Sequence, residues 1–186
     1  MNPKTIGYLR RRTAELAIGN STLRNQGAPG VAKAARHFLA KVDLKSFSVS
    51  SEQKFSQILD CATIDLVRAL PPGARNWGTA RKALNIFLRD CLYNQFLCSY
   101  FAISHIHPWL EIPLDSHVAK GLRRTSQGSD LPKWDTITGL NHERSDRYQE
   151  VAGRVAKKIG CNRVDLDIYL WREVGIRDLE NIWHSD

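Results

Sequence analysis

LPPGARNWGTARKALN, residues 70–85, is the stretch whose reading decides the fold. Two prolines and two glycines fall within its first nine positions, and a helix cannot run through them. From Thr79 onward apolar residues return at intervals of three and four, which is helical spacing. PPGARNWG, 71–78, is therefore a hairpin between a helix ending near Leu70 and another starting near Thr79. Such a hairpin offers backbone N–H groups to a phosphate, and the dipole of the second helix favours the same anion. Gly73, Arg75, Gly78 and Arg81 are the candidate phosphate contacts of this segment. An ordinary interhelical loop remains the alternative.

The same three-and-four spacing extends in both directions. It predicts helices over about 5–18, 29–41, 51–69, 79–101, 116–123, 132–140, 146–159 and 163–173. No sustained alternation of apolar and polar residues between hairpin turns occurs, so the expected class is all-α. Ser50 with Gln53 can form a capping box, Pro29 suits a first helical turn, and Gly160 suits a C-terminal stop. No repeat, low-complexity tract or linker interrupts the chain. The simplest architecture is one domain, 1–186, of small helices in two lobes around a cleft.

Composition narrows the partner. The chain has 186 residues, 42% hydrophobic, with 27 Lys and Arg against 19 Asp and Glu, a formal charge of +8 and a pI near 9.5. That balance suits a polyanion, and nucleic acid is the first candidate. No apolar run is long enough for a membrane span, and no secretion signal leads the chain, so a soluble, cytoplasmic, monomeric protein is expected. Cys61, Cys91, Cys98 and Cys161 lack C-x-x-C spacing, which argues against zinc or an iron–sulfur cluster. They are expected as reduced, small buried hydrophobes.

Two positions draw attention as chemistry. In TARKALNIFLRDCLYNQFL, 79–97, Ala80, Ala83, Leu84, Phe87, Leu88, Cys91 and Leu92 form a core-facing side. Lys82, Asn85 and Arg89 fall on a different stripe near the hairpin end. The positive end of a helix dipole disfavours an ammonium, and a neutral amine is a nucleophile; a solvated lysine touching phosphate is the alternative. Further on, Pro108 and Pro113 keep the connection to IPLDSHVAKGL, 112–122, extended. Asp115 stands at the N-cap of the next helix, where amides would hold a carboxylate ionised and fixed in direction.

GTARKALN, 78–85, followed by PLDSHVAKGL, 113–122, resembles the helix–hairpin–helix DNA glycosylases over roughly residues 55–175. In that superfamily a lysine follows the hairpin glycine and the catalytic aspartate lies in a V-D-T/S-H-V type motif. Lys82 and Asp115 match those places. LPPGARNWGTA is longer than the usual L-P-G-x-G hairpin and lacks its second glycine in place, so phosphate contacts do not transfer atom by atom. The 33-position separation of Lys82 and Asp115 is similar to the archaeal 8-oxoguanine DNA glycosylase branch, which also lacks the iron–sulfur cluster. In that branch a basic residue seven positions after the lysine reaches the flipped base, and Arg89 matches its spacing but not its type. A late aspartate and a tryptophan four residues on line the pocket there, as Asp167 and Trp171 would here; an N-terminal glutamine corresponds to Gln26.

The resemblance implies a compact two-lobed helical domain with a DNA-binding cleft, its hairpin at 71–78 and its catalytic loop at about 108–116. It implies a DNA glycosylase acting on double-stranded DNA with a modified base, without metal or other cofactor, associated with the nucleoid through DNA. Lys82 and Asp115 would be catalytic. Asn85, Arg89, Asp167, Trp171 and Gln26 would form the base pocket, and Ser116, His117 and Lys120 would join the hairpin residues on the backbone. A damaged purine such as 8-oxoguanine is the first substrate, with Schiff-base lyase activity at the abasic site. Two alternatives stand beside it: an antiphage glycosylase removing glucosylated hydroxymethylcytosine, and a non-catalytic DNA-binding module. For Asp167 and Trp171, core packing with Asp167 paired to Arg163 or Arg172 is the alternative.

Overall fold

Helix starts follow side-chain caps. Asn2, Ser51, Asn76, Asn94, Asp115 and Asn141 each accept a hydrogen bond from a first-turn amide, satisfying donors a helix cannot satisfy itself. The computed structural model describes residues 1–19, 22, 23, 26, 28–126 and 131–170. Every regular element among them is helical: α1 Pro3–Ala17, α2 Val31–Leu39, α3 Glu52–Ala69, α4 Trp77–Tyr93, α5 Gln95–Phe101, α6 Ser116–Thr125, α7 His142–Ile159 and α8 Leu166–Leu170. Short 3₁₀ turns occupy Leu44–Phe47, Pro72–Ala74, Ser104–Trp109 and Arg163–Asp165. The protein is all-α, as its periodicity predicts. No helix among the described residues is long and apolar enough to cross a membrane.

The chain divides into two compact units, Met1–Trp109 and Leu110–Asp186; the division falls inside the 108–116 connection. In the first unit α4 is the central element, touching α1, α2, α3 and α5. Its apolar side behaves as expected, with Ala80, Ala83, Leu84, Phe87, Leu88, Cys91 and Leu92 all buried. Phe47, Phe55, Leu59 and Leu66 complete that core. Burial pushes the Cys91 thiol well above its usual range, Asp90 adding to the effect and Arg10 opposing it. Cys61, by contrast, is exposed, and Cys98 and Cys161 are half-buried thiols, so only one of the four behaves as the buried hydrophobe expected.

In the second unit α6, α7 and α8 enclose Val118, Leu122, Val151, Val155, Leu166 and Leu170. Gly121 permits this closeness: a Cβ there would lie 2.7 Å from Leu170 Cδ2. The extended run before α6 is held by Gln149, whose Oε1 accepts from Ile112 N (3.1 Å) and whose Nε2 donates to Ile112 O (2.9 Å). A buried strand-like segment without a sheet thus has both backbone groups of Ile112 satisfied.

Local details depart from the sequence expectation. The helix over 79–101 breaks because Asn94 turns its side chain onto Phe96 N and Leu97 N, both at 3.1 Å, and starts α5. Ser51 rather than Ser50 caps α3, accepting from Lys54 N. Pro29 precedes α2, which begins at Val31 behind Gly30 at φ +87°, a left-handed conformation suited to glycine. Gly160 ends α7 at φ +74°, as expected.

No helix forms over 132–140. Side chains claim its carbonyls instead: Arg123 donates to Leu131 O (3.0 Å) and Pro132 O (2.9 Å), Tyr148 OH to Pro132 O (2.7 Å), and Arg144 to Lys133 O. Burial raises the Tyr148 phenol above its ordinary value of 10.0, with Arg123 opposing. A raised folded value means the neutral phenol's contribution is complete below pH 10 and is lost as pH climbs through the folded value. Tyr148→Phe is expected to cost about 1 kcal/mol at neutral pH, because Pro132 O keeps its Arg123 donor. Denaturant midpoints taken from pH 8 to 11 should show the wild type's advantage over Tyr148→Phe vanishing at the alkaline end.

Candidate functional site

The hairpin is tighter than 71–78. Ala74 N donates to Pro71 O (2.8 Å), Asn76 N to Ala74 O (2.9 Å), and Asn76 Oδ1 accepts from Thr79 N (2.9 Å), so α4 begins at Trp77. Gly78 is consequently a buried residue of the first helical turn, not a loop glycine. Gly73 and Arg75 remain exposed, Arg75 Nε donating to Leu70 O at 3.0 Å. Of the four residues expected to touch phosphate here, only these two are on the surface.

Arg81 has another task. It is 3% exposed; its Nη1 lies 2.8 Å from Asp60 Oδ1 and 3.0 Å from Thr63 Oγ1, and its guanidinium sits 5.2 Å from the Trp77 ring centroid. It joins α4 to α3 and is withdrawn from any phosphate. The expectation of a DNA contact is thereby corrected: an ion pair with the part-buried Asp60 holds this buried cation within the unit.

Lys82, one residue later, lies on the second turn of α4 and is 9% exposed. Its Nζ donates to Thr22 O at 3.3 Å, and Gln26 Nε2 donates to the same carbonyl at 3.0 Å. Gln26 is 7% exposed and its Oε1 has no donor in reach. Asn85, three positions on, is 2% exposed. Lys82 and Gln26, distant in sequence, thus meet at the Thr22 carbonyl. The polar stripe of α4 is not a solvated face: α4 is buried on nearly every side over Gly78–Asn85.

Arg89 lies further along α4. Its Nε and Nη2 donate to Asp90 Oδ1 at 3.0 and 2.9 Å. Burial raises the Asp90 carboxyl, while the charge and hydrogen bonds of Arg89 pull it down. A cavity of about 850 Å3 between α2 and α3, lined by Phe38, Val42, Phe47, Ile58 and Cys61 among others, contains none of the expected site residues.

In the second unit Asp115 caps α6 as expected, its Oδ1 accepting from His117 N (2.9 Å) and Val118 N (3.0 Å). Two amides and a helix dipole fix the direction of the carboxylate. Ser116, His117 and Lys120 are exposed while Val118, Ala119 and Leu122 are buried, so α6 turns its polar side outward. Asp167 is half-buried on α8; Trp171 lies outside the described residues. Sequence reading missed Trp134, Lys133 and Arg124, which with Ser116, Lys120 and Arg123 line a cavity of about 550 Å3. The signal was present in the RR pair at 123–124 and the lone Trp of PKW, 132–134, but the assignment of 132–140 as helix hid it. No protein-family model, curated protein or solved structure matches the chain.

Proposed function

We propose that this protein is a DNA glycosylase that removes a modified base and then cleaves the abasic strand. The observation that carries the reading is the buried amine of Lys82, which shares the Thr22 carbonyl with Gln26. Burying a lysine costs free energy that Leu or Met at the same place would not incur. A buried amine that meets a second polar side chain is a candidate nucleophile. The amides are the groups that read a base edge, and Gln26 Oε1 supplies an acceptor awaiting an N–H donor.

The chemistry follows from these groups. Positive charge gathers the duplex, and Gly73 and Arg75 of the hairpin with Ser116, His117 and Lys120 of α6 contact its backbone. The target nucleotide is flipped out of the stack. Rupture of the N-glycosidic bond builds positive charge on the deoxyribose, which the Asp115 carboxylate opposes. The Lys82 nitrogen forms a bond to C1′ through its lone pair while the base departs with the glycosidic electron pair and takes up a proton. Opening of the sugar gives a Schiff base, from which loss of the C2′ proton expels the 3′ phosphate by β-elimination. A modified purine such as 8-oxoguanine is the first substrate to try.

Duplexes carrying 8-oxoguanine, other oxidised and alkylated bases, uracil or glucosylated hydroxymethylcytosine test the reading directly. Release of one base, with a borohydride-stabilised protein–DNA adduct that Lys82→Gln does not form, is the expected result. DNA binding without release from any duplex would return the protein to the class of binding modules. Release without an adduct would leave a glycosylase in which water replaces the amine.

A further inference from the structure

The 550 Å3 cavity beside α6 has a composition that the catalytic reading does not use. Ser116, Lys120 and Arg124 follow one another every four residues, about 6 Å apart along the helix. Lys133 adds a further cation, and no carboxylate is among the described residues that line the cavity. Trp134 supplies one aromatic wall. That wall is held firmly: the carbonyls of Leu131, Pro132 and Lys133 are each taken by Arg123, Tyr148 or Arg144. The indole itself meets the Tyr148 ring edge-to-face, centroids 5.4 Å apart at 86°. Long polar side chains are thus spent on fixing the strap that carries a partly exposed tryptophan.

A row of cations beside a fixed aromatic plane is what a nucleotide outside a duplex stack requires. Phosphates take the charges and the base takes the ring face. An acidic peptide would satisfy the cations but would leave the indole without purpose. We propose that this cavity binds an unstacked nucleotide of the strand whose sugar Asp115 faces, its base on Trp134 and its phosphates on Lys120, Arg124 and Lys133. Ser116, which lines the cavity, directly follows Asp115, so the nucleotide held is one flanking the target. The inference rests on the proposed function, in which Asp115 faces the target sugar, and its test reads nucleotide binding apart from base release.

The test uses the full chain and duplexes containing a tetrahydrofuran abasic analogue, with 2-aminopurine placed beside the analogue or in the complementary strand. Binding should change the fluorescence of the same-strand probe in the wild type and in Trp134→Phe, and not in Trp134→Ala. Trp134→Ala should lose about tenfold in affinity with its salt dependence unchanged. Lys120→Ala and Lys133→Ala, both at exposed positions, should each lower the slope of log affinity against log salt by about one. Wild-type affinity and fluorescence in Trp134→Ala would overturn the proposal, as would a response confined to the complementary strand. A chain that releases bases but ignores Trp134→Ala refutes the cavity alone. A chain that releases none yet weakens on Trp134→Ala refutes the glycosylase reading alone.

Discussion

Asp115→Asn should abolish base release, lowering the single-turnover rate by at least about a hundredfold, with α6 intact. The observed capping role and the proposed catalytic role of this residue separate because their chemical demands differ. As an N-cap, Asp115 needs only an oxygen facing His117 N and Val118 N, and Asn offers the same oxygen at nearly the same stability. As a counter-charge to a cationic sugar, it needs the full negative charge, which the amide lacks. Melting temperature and DNA affinity should therefore remain near wild type while product formation disappears. A variant that keeps the rate would remove Asp115 from the chemistry and leave it a cap. Asp115→Ala is the less informative change, since it removes cap and charge together and costs about 1 kcal/mol of helix stability.

The second large effect concerns the fold. Arg81→Met should destabilise the N-terminal unit by about 3 kcal/mol, lowering the melting temperature by roughly 6–12 °C for a chain of this size. Methionine keeps the apolar stem but removes the cation 2.8 Å from Asp60, whose side chain is 34% exposed, and the donor to Thr63 Oγ1. The partial exposure of Asp60 places the cost at the low end for a broken buried pair. Adding Asp60→Leu to Arg81→Met should recover about half of the loss, because a well-packed apolar pair can replace a buried ionic one. Were Arg81 instead a phosphate contact, its substitution would weaken DNA binding and spare the melting temperature.

These two residues show how much the sequence displayed and where it stopped. Asp115 was legible as a cap because capping is local: the acceptor and its amides are within three residues. The apolar side of α4 was legible because 3.6-residue periodicity survives folding. Arg81 was misread for the reason that its partners, Asp60 and Thr63, are some twenty positions away on α3, and no local pattern distinguishes a cation paired in a core from one on a surface. Gly78 was misread because the Asn76 cap draws the helix start two residues back from Thr79. The segment 132–140 failed more completely. Its spacing is helical, but three long side chains from α6 and α7 compete for its carbonyls and win.

By itself, the sequence determined the class and part of the frame: an all-helical chain, the stop at Gly160, the hairpin before α4, and the seat of Asp115 at the head of α6. Each of these depends on neighbours within about one helical turn, where stereochemistry and hydrogen-bonding options are few. Only the tertiary structure decided that Lys82 is buried, that Thr22 O, sixty positions away, is its hydrogen-bond partner, and that Gln26 shares that carbonyl. Only it set Trp134 against Tyr148 beside the cations of α6. Those arrangements come from long-range packing, in which burial of apolar surface brings distant segments together and leaves their polar groups to find partners that no sequence interval records.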